Sequence, residues 1–262
     1  MKFPGLIFGA LLAGTLASAP AAAVTREEAT IQNAMLVLRE LQSMPDLQIP
    51  DQLLSRAEGM VILPANVKVG LIFGARFGNG VLLVRNANGE WSNPVFVTTG
   101  GGSWGFQAGG QVADIVLVLT TRRSIEGITD GKLTLGADAS VAAGPVGRTA
   151  MASTSLTFDS EVYAYSRSKG LFAGISLEGN GIFIGRKANR RFYDGEDSAT
   201  AILAQTSAPP PPADELVAEV RRITTIAPKR AATDDAKPAT EVAPAEARTY
   251  PLPDPEPGAE PR

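Results

Sequence analysis

The distribution of glycine constrains the fold of this chain more than any other feature. Of the 27 glycines, all but Gly5, Gly9, Gly14 and Gly258 lie between Gly59 and Gly195. Within this stretch they alternate with short runs of β-branched and aromatic residues, which are typical of strands. Glycine inside strands marks bulges and corners that let a sheet bend. The stretch therefore predicts a curled or barrel-like sheet of short strands.

The predicted strands are joined by tight turns. Strands are predicted at residues 60–63, 67–77, 81–84, 95–98, 115–120, 133–141, 161–165, 171–177 and 181–185. Between them, Gly78-Asn79-Gly80, Asn88-Gly89 and Asp130-Gly131 carry the residues that hairpin turns need. Short strands with short turns favour an antiparallel sheet over a parallel one.

A long amphipathic helix is predicted before the β region, over residues 25–44. Thr25 and Glu28 form a capping-box signature at its start, and Pro45 ends it. Its apolar residues recur at helical spacing on one stripe, made of Ile31, Met35, Leu38 and Leu41. Such a stripe packs on a core or lies on a membrane surface, and both readings stay open at this point.

Further helices are predicted at residues 51–58 and 214–223. In the second one Leu216, Val220 and Ile223 share a face, with acids in the first turn and Arg221-Arg222 near the end. The fold class predicted for the chain is α+β, with a glycine-rich, curled or barrel-like antiparallel β core. N-terminal and C-terminal helices flank this core.

The two ends of the chain differ from the part between them. Residues 1–23 resemble an export signal, with Lys2, an apolar run too short to span a bilayer, and Ala21-Ala22-Ala23 for cleavage near Ala23. An uncleaved membrane anchor is the alternative. Export predicts a periplasmic or secreted protein.

Residues 227–262 predict a disordered tail. They are rich in proline and hold only Val242 and Leu252 among Leu, Ile, Val and Phe. Such a segment cannot bury enough apolar surface to offset its ordering entropy. The folded domain is therefore predicted at residues 24–226, and a protein partner could bind through the tail.

The chain contains no histidine and no cysteine. This excludes Ser-His-Asp and Cys-His catalysis, disulfides, and metal sites built on histidine or cysteine. The net charge of −3 gives no electrostatic argument for nucleic-acid binding. Carboxylates remain as possible acids and bases for a hydrolase, but they are scattered: Asp114, Asp130, Asp138, Asp159, Glu161, Glu178 and Asp194. We expect a non-enzymatic protein without a metal or cofactor.

One glycine motif imitates a cofactor loop. Gly100, Gly102 and Gly105 satisfy the G-x-G-x-x-G spacing of dinucleotide-binding folds. The residues that follow start a helix poorly, and no strand-helix-strand unit surrounds them. A glycine bend between strands is the interpretation that the sequence favours.

The strongest charge feature is a basic run followed by two aromatic residues. Its members are Arg186, Lys187, Arg190, Arg191, Phe192 and Tyr193. The cations suit phosphate headgroups, with the rings resting in the membrane interface. The alternative is a solvated surface segment whose arginines pair with Asp194, Glu196 or Asp197.

Several longer motifs resemble the SYLF domain family over about residues 26–226. They are, in order, 57–64, 68–75, Gly89-Glu90-Trp91-Ser92-Asn93-Pro94, 101–109, Leu135-Gly136, 143–148, 165–179, and 189–193 before Gly195. Members of this family bind phosphoinositides and other phospholipids, and the yeast members also bind actin. Eukaryotic members carry SH3 or FYVE domains beside it.

The resemblance implies a non-catalytic phospholipid-binding protein of the bacterial cell envelope. Its expected lipid contacts are the basic run with its two aromatic residues and, in the place of the family's membrane-contacting helix, the stripe from Ile31 to Leu41. The alternative function is an envelope structural or protein-interaction module without a lipid ligand.

Overall fold

The computed structural model describes most of the predicted folded domain. The described residues are 24–44, 48–70, 73–104, 109–145, 158–168, 177, 179–206 and 208–225. The predicted export signal, the predicted tail and most of the strand predicted at 171–177 lie outside the described residues.

The helices and strands of the described residues form an α+β fold, as predicted. The helices are α1 (Arg26–Ser43), α2 (Asp51–Ser55), α3 (Arg122–Thr129), α4 (Arg186–Phe192), α5 (Ala199–Ala204) and α6 (Ala213–Thr224). The strands are β1 (Gly59–Gly70), β2 (Phe73–Val84), β3 (Val95–Trp104), β4 (Gly109–Leu119), β5 (Lys132–Thr134), β6 (Val141–Ala143), β7 (Val162–Ser168) and β8 (Gly181–Ile184).

These strands form a single mixed sheet in the order β5-β8-β3-β2-β1-β4-β7-β6. Its pairs are antiparallel, as predicted, except that β6 and β7 run parallel. The sheet is curled into a half-barrel. Helix α3 contacts β5 and β8 at one edge of the sheet and also β4, so the curl closes around this helix.

Both faces of the central strands carry apolar side chains, and a different set of helices packs on each face. Met60 and Ile62 of β1 belong to a core cluster with α1, α2 and α6. Val61 and Leu63 alternate with them and belong to a second cluster on the concave face, which includes residues of α3. All four side chains are at most 2% exposed. Burying such a side chain contributes roughly 1.5–3 kcal/mol, so the two clusters account for much of the stability.

A bulge interrupts the central strand β1. Pro64 lies where the register with β2 and β4 shifts, and a proline is tolerated in a central strand only at such a position. Ala65 adopts a left-handed backbone with φ of 50°. Its amide donates a 3.0 Å hydrogen bond to Oδ1 of Asp114, which stabilises the strained backbone.

The bulge explains why the hairpin predicted at Gly78-Asn79-Gly80 is wrong. These residues lie inside β2, where Gly78 pairs with Thr99 and Gly80 with Val97 of β3. A Cβ at Gly80 would overlap the carbonyl oxygen of Ile62, and one at Gly78 would overlap the Asn66 side chain. The glycines let β2 pass close to the bulge and do not turn the chain.

Two other predictions based on glycine, the bend at 100–105 and the hairpin turn at Asp130-Gly131, are wrong. Gly100 and Gly102 lie within β3 instead of at a bend, and Gly105 lies outside the described residues. Asp130-Gly131 ends α3 and leads into β5, so it does not connect two strands. The turn at Asn88-Gly89 is confirmed, with Gly89 at φ of 83°.

The N-terminal helix forms as its sequence predicts. The side chain of Thr25 accepts a hydrogen bond from the Glu28 amide, and the Glu28 carboxylate accepts one from the Thr25 amide. The two helices predicted at 51–58 and 214–223 are also present as α2 and α6. Across the described ranges, every helix is too short or too polar to pass through a bilayer.

Candidate functional site

The basic run forms helix α4, which is fixed against strand β3. The Gly185 amide donates a 2.8 Å hydrogen bond to the Phe96 carbonyl just before the helix begins. Within the helix, Asn189 is fully buried, and its Oδ1 accepts a 2.8 Å hydrogen bond from the Phe96 amide. Asn189 therefore positions the cations around it. The sequence analysis missed this role, because an asparagine between arginines gives no local signal of burial.

The two aromatic residues after the cations anchor the helix to the core. The Phe192 ring packs edge-on against Phe96 at 5.3 Å and against Tyr193 at 5.0 Å. The Tyr193 hydroxyl donates a 2.6 Å hydrogen bond to the Pro94 carbonyl. Burial raises the pKa of the Tyr193 phenol well above its ordinary value. Both rings are half-buried and pack against protein in this conformation. The lipid-binding interpretation of the sequence instead predicted that they rest in a membrane interface.

The second pair of cations in α4 is engaged with acids. Arg190 forms an ion pair with Asp197, one of the partners that the solvated-segment alternative named. Arg191 pairs with Glu27 of α1, and its Nε lies 2.9 Å from the carboxylate Oε1. The Glu27 side chain is only 7% exposed, so this pair ties α4 to the start of α1.

The first pair of cations, Arg186 and Lys187, is exposed to solvent. Neither forms an ion pair with any residue in the part of the chain that the structure describes. Cations in the first turn of a helix gain nothing from the helix dipole, so their position does not serve the stability of α4. Of the four cations of the run, these two are therefore the ones accessible to an external anion.

The apolar stripe of α1 lies in the core. Ile31 and Leu38 are fully buried, and Leu41 and Met35 are 4% and 8% exposed. All four belong to the cluster that α1 forms with the sheet and α6. Of the two alternatives, the structure therefore has the stripe packed on protein, and the four residues offer no surface to a membrane in this conformation.

Three of the described carboxylates that were considered as acids or bases, Asp138, Glu161 and Asp114, accept hydrogen bonds from backbone amides. Asp138 accepts the Thr134 amide at 2.7 Å, which lowers its pKa, and Glu161 accepts the Ser140 amide at 3.1 Å. Asp114 holds the bulge amide and also contacts Arg167 at 3.0 Å. No group of three or more acids suited to a metal ion occurs among the described residues.

A groove of about 530 Å³ lies beside α6. It is bordered by residues between 86 and 93, by residues 203–206, 208 and 209, and by α6 itself. Hydrogen bonds fix its walls, from Trp91 Nε1 to Thr224 Oγ1 at 2.8 Å and from Asn93 Nδ2 to Gln205 Oε1 at 3.2 Å. The groove is a built surface feature with both apolar and charged lining.

Part of the chain matches a known protein family. Residues 100–223 match the family model Ysc84, described as Las17-binding protein actin regulator. LAS seventeen-binding protein 3 of Saccharomyces cerevisiae is 40% identical over 174 residues, which cover 65% of this chain and 38% of that protein. SH3 domain-containing YSC84-like protein 1 of Bos taurus is 37% identical over 191 residues, covering 71% of this chain and 56% of that protein.

The same SH3-containing protein of Xenopus laevis is 36% identical over 172 residues, which cover 63% of this chain and 51% of that protein. The chain thus spans about two fifths to just over half of the length of these relatives. The family prediction made from the motifs is confirmed, and the matching family model begins within β3.

Proposed function

We propose that this chain, whose residues 100–223 match the Ysc84 (SYLF) domain family, is a non-catalytic protein that docks on phospholipid surfaces. The observation that carries the proposal is the pair of exposed cations, Arg186 and Lys187, held at a fixed place by the buried Asn189. The predicted export signal at residues 1–23 supports a place in the cell envelope, periplasmic or secreted.

The electrostatic part of this binding is modest. A lysine or arginine near an anionic membrane contributes about 1 kcal/mol, which falls off within a Debye length. Two cations on a chain with a net charge of −3 therefore give weak, salt-sensitive attraction. Since the stripe of α1 is buried, an apolar contribution must come from another surface.

The test is co-sedimentation of residues 24–262 with vesicles of phosphatidylethanolamine and phosphatidylglycerol, compared with phosphatidylcholine vesicles. We expect Arg186→Gln/Lys187→Gln to weaken binding to the anionic vesicles, because both cations are removed while the ion pairs of Arg190 and Arg191 stay. The matched control is Arg123→Gln/Lys132→Gln, which lowers the net charge equally at exposed positions elsewhere. Failure of the unmodified chain to sediment with any vesicle would overturn the proposal.

A second candidate function is binding of a protein partner, and the groove beside α6 favours it. The names of two relatives, one a Las17-binding protein and the other an SH3 domain-containing protein, point to protein interactions in those proteins. Trp91 and Arg221 line the groove here, and such residues dominate the energy of protein interfaces. Two variants separate the candidates. Arg221→Ala should weaken an interaction that depends on the groove, and removal of residues 227–262 should abolish one that depends on the tail, while both should leave lipid binding intact.

A further inference from the structure

Strongly exposed apolar side chains gather at one place on the sheet. The large apolar side chains of this kind in the described residues are Val24, Leu36, Val69, Phe77 and Val112. Three of them lie at the far ends of β1, β2 and β4, which we define as residues 67–70, 73–78 and 109–112. Phe77 of β2, Val67 of β1 and Val112 of β4 stand directly opposite one another in register.

The exposure of these side chains follows from where the helices stop. Phe77 and Val112 lie on the same face of the sheet as Val81 and Val116, because strand residues alternate between faces. Val81 and Val116 are buried under the helical layer, whereas Phe77 is 51% and Val112 42% exposed. Among the described side chains, the helical layer thus covers those of the sheet up to the bulge and leaves Phe77 and Val112 exposed.

The opposite face of the same far ends carries positive charge. Lys68 of β1 and Arg76 of β2 are direct cross-strand partners on the concave face. Arg76 is only 7% exposed, and within the described ranges its guanidinium has no hydrogen-bond acceptor or acidic partner. Burial lowers the pKa of Arg76 for this reason.

This arrangement is unfavourable for the protein alone. A cation buried without a partner, as Arg76 is among the described residues, loses solvation without compensation. An anion bound beside Arg76 would relieve this cost, and Lys68 on the neighbouring strand would add a second positive charge to the site. A phosphate suits this pair, since a guanidinium binds two phosphate oxygens at once and an ammonium acts as a point charge.

Polar groups continue the concave face beside the two cations. The Asn66 Nδ2 donates a 2.7 Å hydrogen bond to Thr99 Oγ1, while the buried Asn66 Oδ1 has no partner among the described residues. Asn180 lies over Gly101, the cross-strand partner of Arg76, where a Cβ would overlap the asparagine side chain. The far ends therefore combine a polar, cationic concave face with an exposed apolar face.

We propose that the far ends of β1, β2 and β4 form the membrane-contacting edge of this protein. Lys68 and Arg76 bind the phosphate of an anionic phospholipid, and Val69, Phe77 and Val112 enter the apolar part of the interface. Only a lipid surface offers a layer of phosphates directly beside an apolar layer, which matches the two faces of one sheet. This inference rests on the proposed phospholipid binding and adds to Arg186 and Lys187 a second contact site of stated ligand class.

The charge is tested by Lys68→Gln/Arg76→Gln in residues 24–262, with phosphatidylglycerol/phosphatidylcholine vesicles as the probe. We expect binding to weaken at least about fivefold, which corresponds to the loss of one or more cations from an anionic surface. The control Arg123→Gln/Lys132→Gln should bind within about twofold of the unmodified chain, since the same charge is removed elsewhere. Equal binding of the test and control variants would overturn the phosphate site.

Phe77→Ser tests whether the apolar face contributes to vesicle binding. The Phe77 side chain is exposed, so it can be changed without disturbing the core. The matched control is Leu36→Ser on α1, because Leu36 and Phe77 are both 51% exposed. We expect Phe77→Ser to lose vesicle binding and Leu36→Ser to retain it. If the buried Arg76 proves necessary for folding, Phe77→Ser and the single variant Lys68→Gln decide the question, and binding of both at the level of Leu36→Ser would refute the inference.

These outcomes separate the inference from the function on which it rests. If the unmodified chain binds no vesicle, the proposed function fails. If the unmodified chain binds and only Arg186→Gln/Lys187→Gln weakens it, the function stands and the membrane-contacting edge is wrong. If inorganic phosphate raises the melting temperature through Lys68 and Arg76 but phosphatidylglycerol vesicles do not bind there, the lipid source is wrong.

Discussion

The two halves of the central strands differ in their surroundings although they belong to the same chain segments. In the near halves of β1, β2 and β4, which we define as residues 60–63, 81–84 and 115–119, the side chains are buried on both faces. In the far ends, the side chains of Val69, Phe77 and Val112 are exposed on one face, and a cationic pair lies on the other.

The contrast indicates that the near halves of the strands stabilise the fold and that the far ends form a binding surface. The near halves have apolar neighbours on both faces, which is what stability requires. The far ends keep an exposed apolar face and the buried, unpaired Arg76, which are unfavourable for the isolated protein and typical of binding surfaces. The bulge at Pro64 and Ala65 lies at the boundary between the two.

The largest expected effect is on the near half. Ile62→Ala removes a fully buried side chain and should lower the free energy of unfolding by about 2–5 kcal/mol, because a cavity is left in the core. Urea unfolding followed by circular dichroism measures this loss. The control Val69→Ala, on the same strand but in the far end, should change it by less than about 0.5 kcal/mol. Equal losses would contradict the comparison.

The boundary itself should be sensitive to added volume. Gly80→Ala places a Cβ against the Ile62 carbonyl, and we expect a loss of about 1–3 kcal/mol, since the backbone must move. Gly110→Ala is the control, because its nearest neighbour would be Val69 Cγ1 at 4.0 Å. Thermal unfolding of both variants compares them, and a tolerated Gly80→Ala would show that the bulge does not need this close approach.

The helical layer over the near half should respond to pH through Glu219 of α6. The hydrogen bond from Arg222 holds the pKa of this carboxyl below its ordinary value of 4.5. The pair therefore stabilises the protein above pH 4.5 and loses this contribution as the pH falls through the lowered pKa. We expect Glu219→Gln to cost about 1 kcal/mol at pH 7, and the difference from the unmodified chain to vanish in acid.

For that pH series, the exposed Glu215→Gln on the same helix is the matched variant. Its stability should follow the unmodified chain at every pH. A cost of Glu219→Gln that stays constant down to acid would show that the ion pair is not the source of the stability.

The smallest effect on stability is expected for the far end. Arg76→Gln removes a buried cation that has no partner among the described residues, so the melting temperature should stay unchanged or rise. Differential scanning calorimetry at low salt measures it. A clear fall in melting temperature would mean that Arg76 stabilises the isolated protein, which contradicts the unfavourable burial inferred for it.

Some of the fold could be predicted because its signals are local. The capping box of Thr25 and Glu28, the stripe of α1 and the turn at Gly89 all follow from residues close in sequence. The curled α+β architecture followed from the glycine pattern for the same reason. The family motifs added the prediction of the domain type.

The far ends could not be predicted because register arises only in the folded sheet. The β-rich texture of residues 67–77 is continuous, so the sequence suggested one strand, but the chain reverses between Gly70 and Phe73. This reversal places Lys68 opposite Arg76. In the same way, nothing beside Arg191 in the sequence indicates that its partner is Glu27, which lies on the first helix.

Because the chain has no native cysteine, a single labelled cysteine can report whether the far end of the sheet enters a membrane. A single cysteine at position 77 (Phe77→Cys) or at position 36 (Leu36→Cys) is labelled with an environment-sensitive fluorophore, and phosphatidylglycerol vesicles are added. We expect a blue-shifted, brighter emission for the label at 77 and no change at 36. The same response at both positions, or a response at 36 alone, would contradict this expectation.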